Sequence, residues 1–99
     1  MEPLENLTNI ESALLELRDE DEAHRFLNAI LSRGEHEKVR KRWQVHQLRA
    51  QGMPLDQIVS TTKVPIGIAT RALARRSSHG LILDIIIARA AAKPTLKLR

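Results

Sequence analysis

The sequence predicts an all-α protein of about six helices, and three observations carry that prediction. Leucines and isoleucines recur at steps of three and four, the spacing of one helical face, rather than at steps of two. Residues that open and close helices stand at the ends of those stripes. Strand-like alternating runs are few, and four Gly and four Pro in 99 residues supply little of the turn punctuation of an all-β chain. Only Phe26 and Trp43 are aromatic, so the core must be Leu, Ile, Val and Ala.

The first stripe is Leu4, Leu7, Ile10, Leu14 and Leu17, with Thr8 and Glu11 as a capping box or Pro3 as an earlier start. Asp19 to Glu22 interrupts it and suits the positive N-terminal end of a second helix, which shows Ala23, Phe26, Leu27, Ile30 and Leu31 and ends near Gly34. Ser32 with Glu35 is a capping-box pattern for a third helix running to Gln51, with Gly52 placed for a positive-φ closure. Its predicted inward face is Val39, Trp43, Val45, Leu48 and Ala50. Two short helices follow, Leu55–Thr61 entered through Pro54, and Pro65 to about Arg76, joined by Thr62-Lys63-Val64. Two short helices on a turn of three or four residues form a helix-turn-helix pattern. Ile58, Val64, Ala69 and Ala72 fall where such a unit needs apolar or small residues to lock, although Lys63 stands in a turn that usually contains Gly. Leu81 to Ala92 would also read as a buried strand from its β-branched cluster, but its length and Ala-rich second half favour a closing helix.

These elements predict one domain over residues 1–99: helices over 1–52, the helix-turn-helix over 54–76, the closing helix over 80–92 and a basic tail over 93–99. Without Cys, disulfides, thiolate nucleophiles and Cys-based metal sites are excluded. The four His (His24, His36, His46, His79) lack metal-ligand spacing, so no metal is expected. His46 is expected at a helix interface and the other three at the surface. No catalytic arrangement can be assembled, and the reading is of a non-enzyme. The acidic start has no signal-peptide character, and the run from Leu81 is broken by Asp84 and Arg89, short of the roughly 20 residues of a membrane span. A cytoplasmic protein is expected.

Charge is distributed unevenly. Residues 1–32 carry eight acids against Arg18 and Arg25, a net of −6, and residues 33–99 carry fourteen bases against four acids, a net of +10. A basic second part suits a polyanion, or else a solvated surface of mixed sign.

Leu27-Asn-Ala-Ile-Leu-Ser32, a glutamate-bearing third helix and Val64-Pro-Ile-Gly-Ile-Ala-Thr-Arg71 together resemble the bacterial Trp repressor family, over roughly Phe26 to Arg76. Ala72-Leu73-Ala74 depart from the Gly-Ser-Asn that normally follows Thr-Arg there. The resemblance implies an intertwined homodimer binding a roughly palindromic DNA operator. The Trp repressor is itself a standard instance of helix-turn-helix docking and of water-mediated base contacts, so both are implied by the resemblance rather than read from the residues.

A recognition helix presents its N-terminal residues to base edges. Here those are Ile66, Gly67, Ile68 and Thr70, with Ile66 and Ile68 able to touch thymine methyls or to pack on the preceding helix instead. Lys63, Arg71, Arg75, Arg76, Ser77 and Ser78, with Arg42, are candidate phosphate contacts, while Asp56 would repel a phosphate that it faced. In the family L-tryptophan is the corepressor, held between two arginines, and the matching positions are Arg42 and Arg71. Its amine meets the end of the partner's second helix, matched by Ala29, Leu31 and Ser32. Ala72 and Ile68 replace a glycine and a threonine of that pocket, so the resemblance leaves open tryptophan, another small-molecule corepressor or none. No other cofactor is expected. The expected function is a sequence-specific transcriptional regulator, a repressor located with the nucleoid. The alternatives are a helical protein–protein adaptor and a non-specific nucleoid-associated binder.

Overall fold

The computed structural model of the protein describes residues 7–92, so Pro3, Leu4 and the basic tail lie outside the described residues. Among the described residues there are six α-helices and no strand. The helices are α1 (Ile10–Leu15), α2 (Glu20–Ile30), α3 (Arg33–Ala50), α4 (Leu55–Thr62), α5 (Ile66–Ala74) and α6 (Arg76–Ala92). The chain divides into two compact units, one ending at Glu37 and one beginning at Lys38.

In the first unit, local side chains set the helix starts. Asn9 caps α1 by accepting the Ser12 N–H at 2.8 Å, so the expected Thr8–Glu11 box is not the one used. Leu7 and Leu17 fall outside the helix, which makes α1 shorter than the leucine stripe predicts. Asp19 caps α2 through the Glu22 N–H at 2.8 Å, and Glu22 accepts the Arg18 N–H at 3.0 Å. Ser32 and Glu35 form the predicted reciprocal box at the start of α3, with bonds of 2.8 and 3.1 Å. The Asn28 carboxamide donates to His24 Nε2 at 3.0 Å and accepts from His36 Nδ1 at 2.7 Å, so His36 is half-buried rather than at the open surface. Neither α1 nor α2 holds a buried residue.

The second unit closes on a core of Val45, Ile58, Val64, Ala69 and Ala72, with Leu48, Met53, Leu55, Val59, Ile68 and Leu73 packed around it. All four residues expected to lock the helix-turn-helix are in that core. The end of α3 is tied off as predicted at Gly52 (φ 91°): the Gly52 N–H donates to Arg49 O at 2.9 Å and the Met53 N–H to Leu48 O at 3.1 Å. The turn between α4 and α5 stands on Lys63, a left-handed residue (φ 64°) whose N–H donates to Val59 O. Thr62 braces it, its hydroxyl donating to Ile58 O at 2.8 Å and accepting the Val64 N–H at 3.2 Å.

Two expectations are corrected here. The predicted inward face of α3 is realised at Val45 and, in part, Leu48 and Trp43, whereas Val39 and Ala50 are exposed and His46 takes a buried place (7% exposed). The core touches only the second half of α3, so the periodicity of its first half has nothing to fit. The closing helix starts at Arg76, not near residue 80, because Arg75 alone separates it from α5 and the Ser77 hydroxyl donates back to Ala74 O at 3.1 Å.

Candidate nucleic-acid interface and basic cleft

At about 100° per residue, α5 presents three distinct faces. Ala69, Ala72 and Leu73 turn to the core. Ile66 (58% exposed), Gly67, Thr70 and Ala74 form an open face. Ile68, Arg71, Ala72 and Arg75 share a third face that lines a cleft. The predicted base-reading residues are thereby separated. Ile66, Gly67 and Thr70 stand free at the start of the helix, with nothing within 4 Å of a Cβ built on Gly67. Ile68 packs against the core and the cleft, the alternative role foreseen for it, and Ile66 does not.

The cleft has a volume of about 330 Å³ and lies between α3 and α5. Arg42, Arg71 and Ala72, three of the six expected ligand residues, all line it. Ala29, Leu31 and Ser32 belong to the first unit, where the Ser32 hydroxyl is engaged in capping α3. Lys38, Lys41 and His46 also line the cleft; the sequence marks His46 only as a helix-interface residue and gives neither lysine a site role. Their signal was present: residues 38, 41, 42 and 46 fall at helical steps of three, four and eight, one stripe of α3.

Of the expected phosphate contacts, Lys63, Arg71, Arg75, Ser77 and Ser78 are exposed. Arg76 is placed differently, engaged within the fold. Its side chain is only 18% exposed, and its guanidinium donates to Asp84 Oδ1 at 2.5 Å and to His46 Nδ1 at 3.3 Å. The geometry depends on Gly80. Arg76, Gly80 and Asp84 lie at i, i+4 and i+8 on one face of α6, and a Cβ on Gly80 would approach Arg76 Cβ to 3.3 Å. The missing side chain is the gap across which Arg76 reaches Asp84. Because a guanidinium only donates, His46 Nδ1 must accept, which places its proton on Nε2 and leaves the ring neutral. Burial, and then the Arg76 charge, lower the His46 pKa, with Asp84 opposing. Asp56 is exposed in the first turn of α4.

An all-α fold whose second short helix is locked by its first, presents an open N-terminal face and is edged by cations defines a helix-turn-helix protein. The family model described as Trp repressor protein matches residues 5–77, and the chain belongs to the Trp repressor family, a family of DNA-binding regulators. No curated protein and no solved structure gives a significant match. Among the described residues no cluster of three or more His, Asp or Glu could hold a metal ion, and no helix is long and apolar enough to cross a membrane.

Proposed function

We propose that the protein is a homodimeric, sequence-specific transcriptional repressor that reads a palindromic operator through α5. The observation that carries this reading is the open start of α5, where Ile66, Gly67 and Thr70 are exposed beside the exposed cations Lys63, Arg71 and Arg75. In this reading the open face enters the major groove and the cations bond phosphates on either side. Base contacts are few and apolar, so water and DNA shape supply much of the specificity. Two recognition helices read half-sites roughly 34–36 Å apart. Support for a second copy of the chain comes from apolar side chains left open on α1, α2 and α6, among them Leu15 (84% exposed), Ile30 and Leu81 (76% exposed). Control by a small-molecule corepressor, L-tryptophan or another, is supported by the convergence of Arg42 and Arg71 on one cleft.

The test is selection of bound fragments from a genomic library, with and without L-tryptophan. One palindromic motif enriched only with tryptophan is expected of a tryptophan-dependent repressor. Enrichment in both arms keeps the DNA reader and removes tryptophan as its signal. No enrichment in either arm overturns the reading, and binding to all fragments alike, removed by competitor DNA, marks a non-specific nucleoid binder. The double variant Lys63→Glu, Arg71→Glu is expected to abolish selection. A protein partner captured equally by that variant after nuclease treatment would instead favour the adaptor reading.

A further inference from the structure

The closing helix is fastened less by burial than by charge. Gly80 is the buried residue of α6, no apolar side chain of that helix is fully covered, and Leu81 and Ile82 are open to solvent. A polar bond ties its start to α3. Arg76, the first residue of α6, donates through one guanidinium nitrogen to His46 Nδ1 at 3.3 Å and through another to Asp84 Oδ1. His46 is 7% exposed and the Arg76 side chain 18%, so water competes little for the bond between them. Gly80, one turn along from Arg76, leaves the gap that the guanidinium crosses. This tie holds for one protonation state of the ring. A guanidinium has no lone pair to offer, so a proton on His46 Nδ1 removes the acceptor and sets two cations face to face.

The surroundings offer that proton little compensation. On its own helix His46 shares the cleft with Lys38, Lys41 and Arg42, α5 adds Arg71 and Arg75, and no Asp or Glu lines the space. From α6 come Arg76 and Asp84, the latter already bonded to the guanidinium. α4 and its turn bring Val64 and Pro65 to the cleft but neither Asp56 nor Lys63, and His79 of α6 bonds Ser78. Because His46 lines the cleft, a proton can enter from solvent. Withdrawal of Arg76 toward solvent relieves the repulsion, and it moves the start of α6. That movement is passed to the end of α5, since Arg75 alone separates the two helices. We propose that His46, Arg76 and Asp84 form a proton-operated latch: neutral His46 holds the start of α6 against α3, and protonated His46 releases it and loosens the end of α5. The weakening of DNA binding that follows rests on the DNA-binding reading above; the latch itself does not. Burial, and then the Arg76 charge, lower the His46 pKa, so release is confined to pH below 6.5.

The test is hydrogen exchange of the full chain, without DNA, at about pH 7.5 and about pH 5.5, on either side of the ordinary histidine range. Protection factors remove the pH dependence of exchange itself. Protection of the α6 amides from Gly80 to Asp84 should fall roughly tenfold at the lower pH, while Ile58 and Val59 of α4 change by less than about twofold. His46→Asn should keep α6 protected at both pH values, since its carboxamide oxygen can accept from Arg76 and does not titrate. The ring-nitrogen NMR signals of His46 in the wild type provide a check that needs no variant. Its proton should sit on Nε2 at neutral pH, and Nδ1 should gain one over the same pH range in which α6 loses protection. Unchanged α6 protection, an equal fall in His46→Asn, or a proton on Nδ1 at neutral pH would overturn the latch. So would a fall in α3 and α4 as large as in α6, which would mean that the whole unit loosens together. On a duplex enriched in the selection above, wild-type affinity should fall by about threefold relative to His46→Asn between the two pH values. Identical pH dependence of the two proteins on that duplex overturns the coupling to α5 alone. Absence of any enriched duplex sinks the DNA reading, and the latch then stands or falls on exchange.

Discussion

Up to Glu37, each helix start is held by a side chain acting within four residues; from Lys38 onward, α3, α4 and α5 share an apolar core. The first unit is acidic and keeps Leu15 and Ile30 open, whereas the second is basic and hides Ile58 and Val45 completely. Local caps can specify where a short helix begins, but they contribute only about 1 kcal/mol each and cannot by themselves hold it folded. The starts of the first unit's helices are thus specified locally, with no buried residue on α1 or α2, and the second unit is specified and stabilised by the same residues. The proposed second copy of the chain is the natural source of what the first unit lacks.

The largest effect should come from the core. Ile58→Ala removes a side chain with no exposure at the meeting of α4 and α5 and should cost about 3 kcal/mol, read by urea denaturation. Leu15→Ala at an open position should cost under about 0.5 kcal/mol in a monomer. If α1 is covered by a second copy, the Leu15→Ala loss will instead grow with protein dilution, and sedimentation will show a weakened dimer. Equal, concentration-independent losses in the two variants would break the contrast between the units.

Caps come next. Asp19→Ala leaves the Glu22 N–H without its side-chain acceptor and should destabilise α2 by about 1 kcal/mol. Hydrogen exchange should rise in α2 and stay unchanged in α4 and α5. A uniform rise across both units would mean that they unfold as one, and the contrast would then describe specification only.

These two regions also differ in how far they could be read in advance. The Ser32–Glu35 box, the Gly52 closure and the four locking residues of the helix-turn-helix were legible because each depends on residue type at short, fixed spacing. The inward face of α3 was not. Periodicity shows that a helix has an apolar side but not how much of its length meets a neighbour, and here the core reaches only Val45 onward. Arg42 and Arg71 were legible as a pair only through family resemblance. Lys38 and Lys41 were passed over because a cation on a helix is usually solvated, and only the packing of α5 places them around a cleft. The engagement of Arg76 was hidden for a related reason: Gly80 and Asp84 sit at the right steps to hold it, yet nothing in the spacing says that His46 arrives from α3.

Lys63→Gly separates stability from function within the second unit. A non-glycine residue in the left-handed conformation is strained by about 1–2 kcal/mol, and part of that relief is cancelled by the greater freedom of glycine in the unfolded chain. The variant should be more stable by about 0.5–1 kcal/mol while binding DNA more weakly, since a candidate phosphate contact is gone. Unchanged stability would show that the Thr62 brace already absorbs the strain. Unchanged DNA affinity would remove Lys63 from the interface.

The smallest effect is confined to one window of pH and tests the link between α3 and α6 alone. His46 is neutral in the fold, because its Nδ1 accepts from Arg76, and its pKa lies below the ordinary 6.5. The unfolded chain therefore takes up the proton first as pH falls, and stability rises with pH wherever the unfolded state holds more protons. This contribution should be complete above 6.5, decline as pH drops through that value and level off below the folded-state pKa. In His46→Asn, a carboxamide oxygen can stand near the place of Nδ1 and accept from Arg76 without titrating. Unfolding free energies of both proteins from about pH 7.5 to about pH 5 should diverge only below 6.5, with the wild type losing more. His24, His36 and His79 remain in both proteins and cancel in the difference. Parallel curves would mean that His46 is protonated equally in both states, which is incompatible with a hydrogen bond from Arg76 to a bare Nδ1.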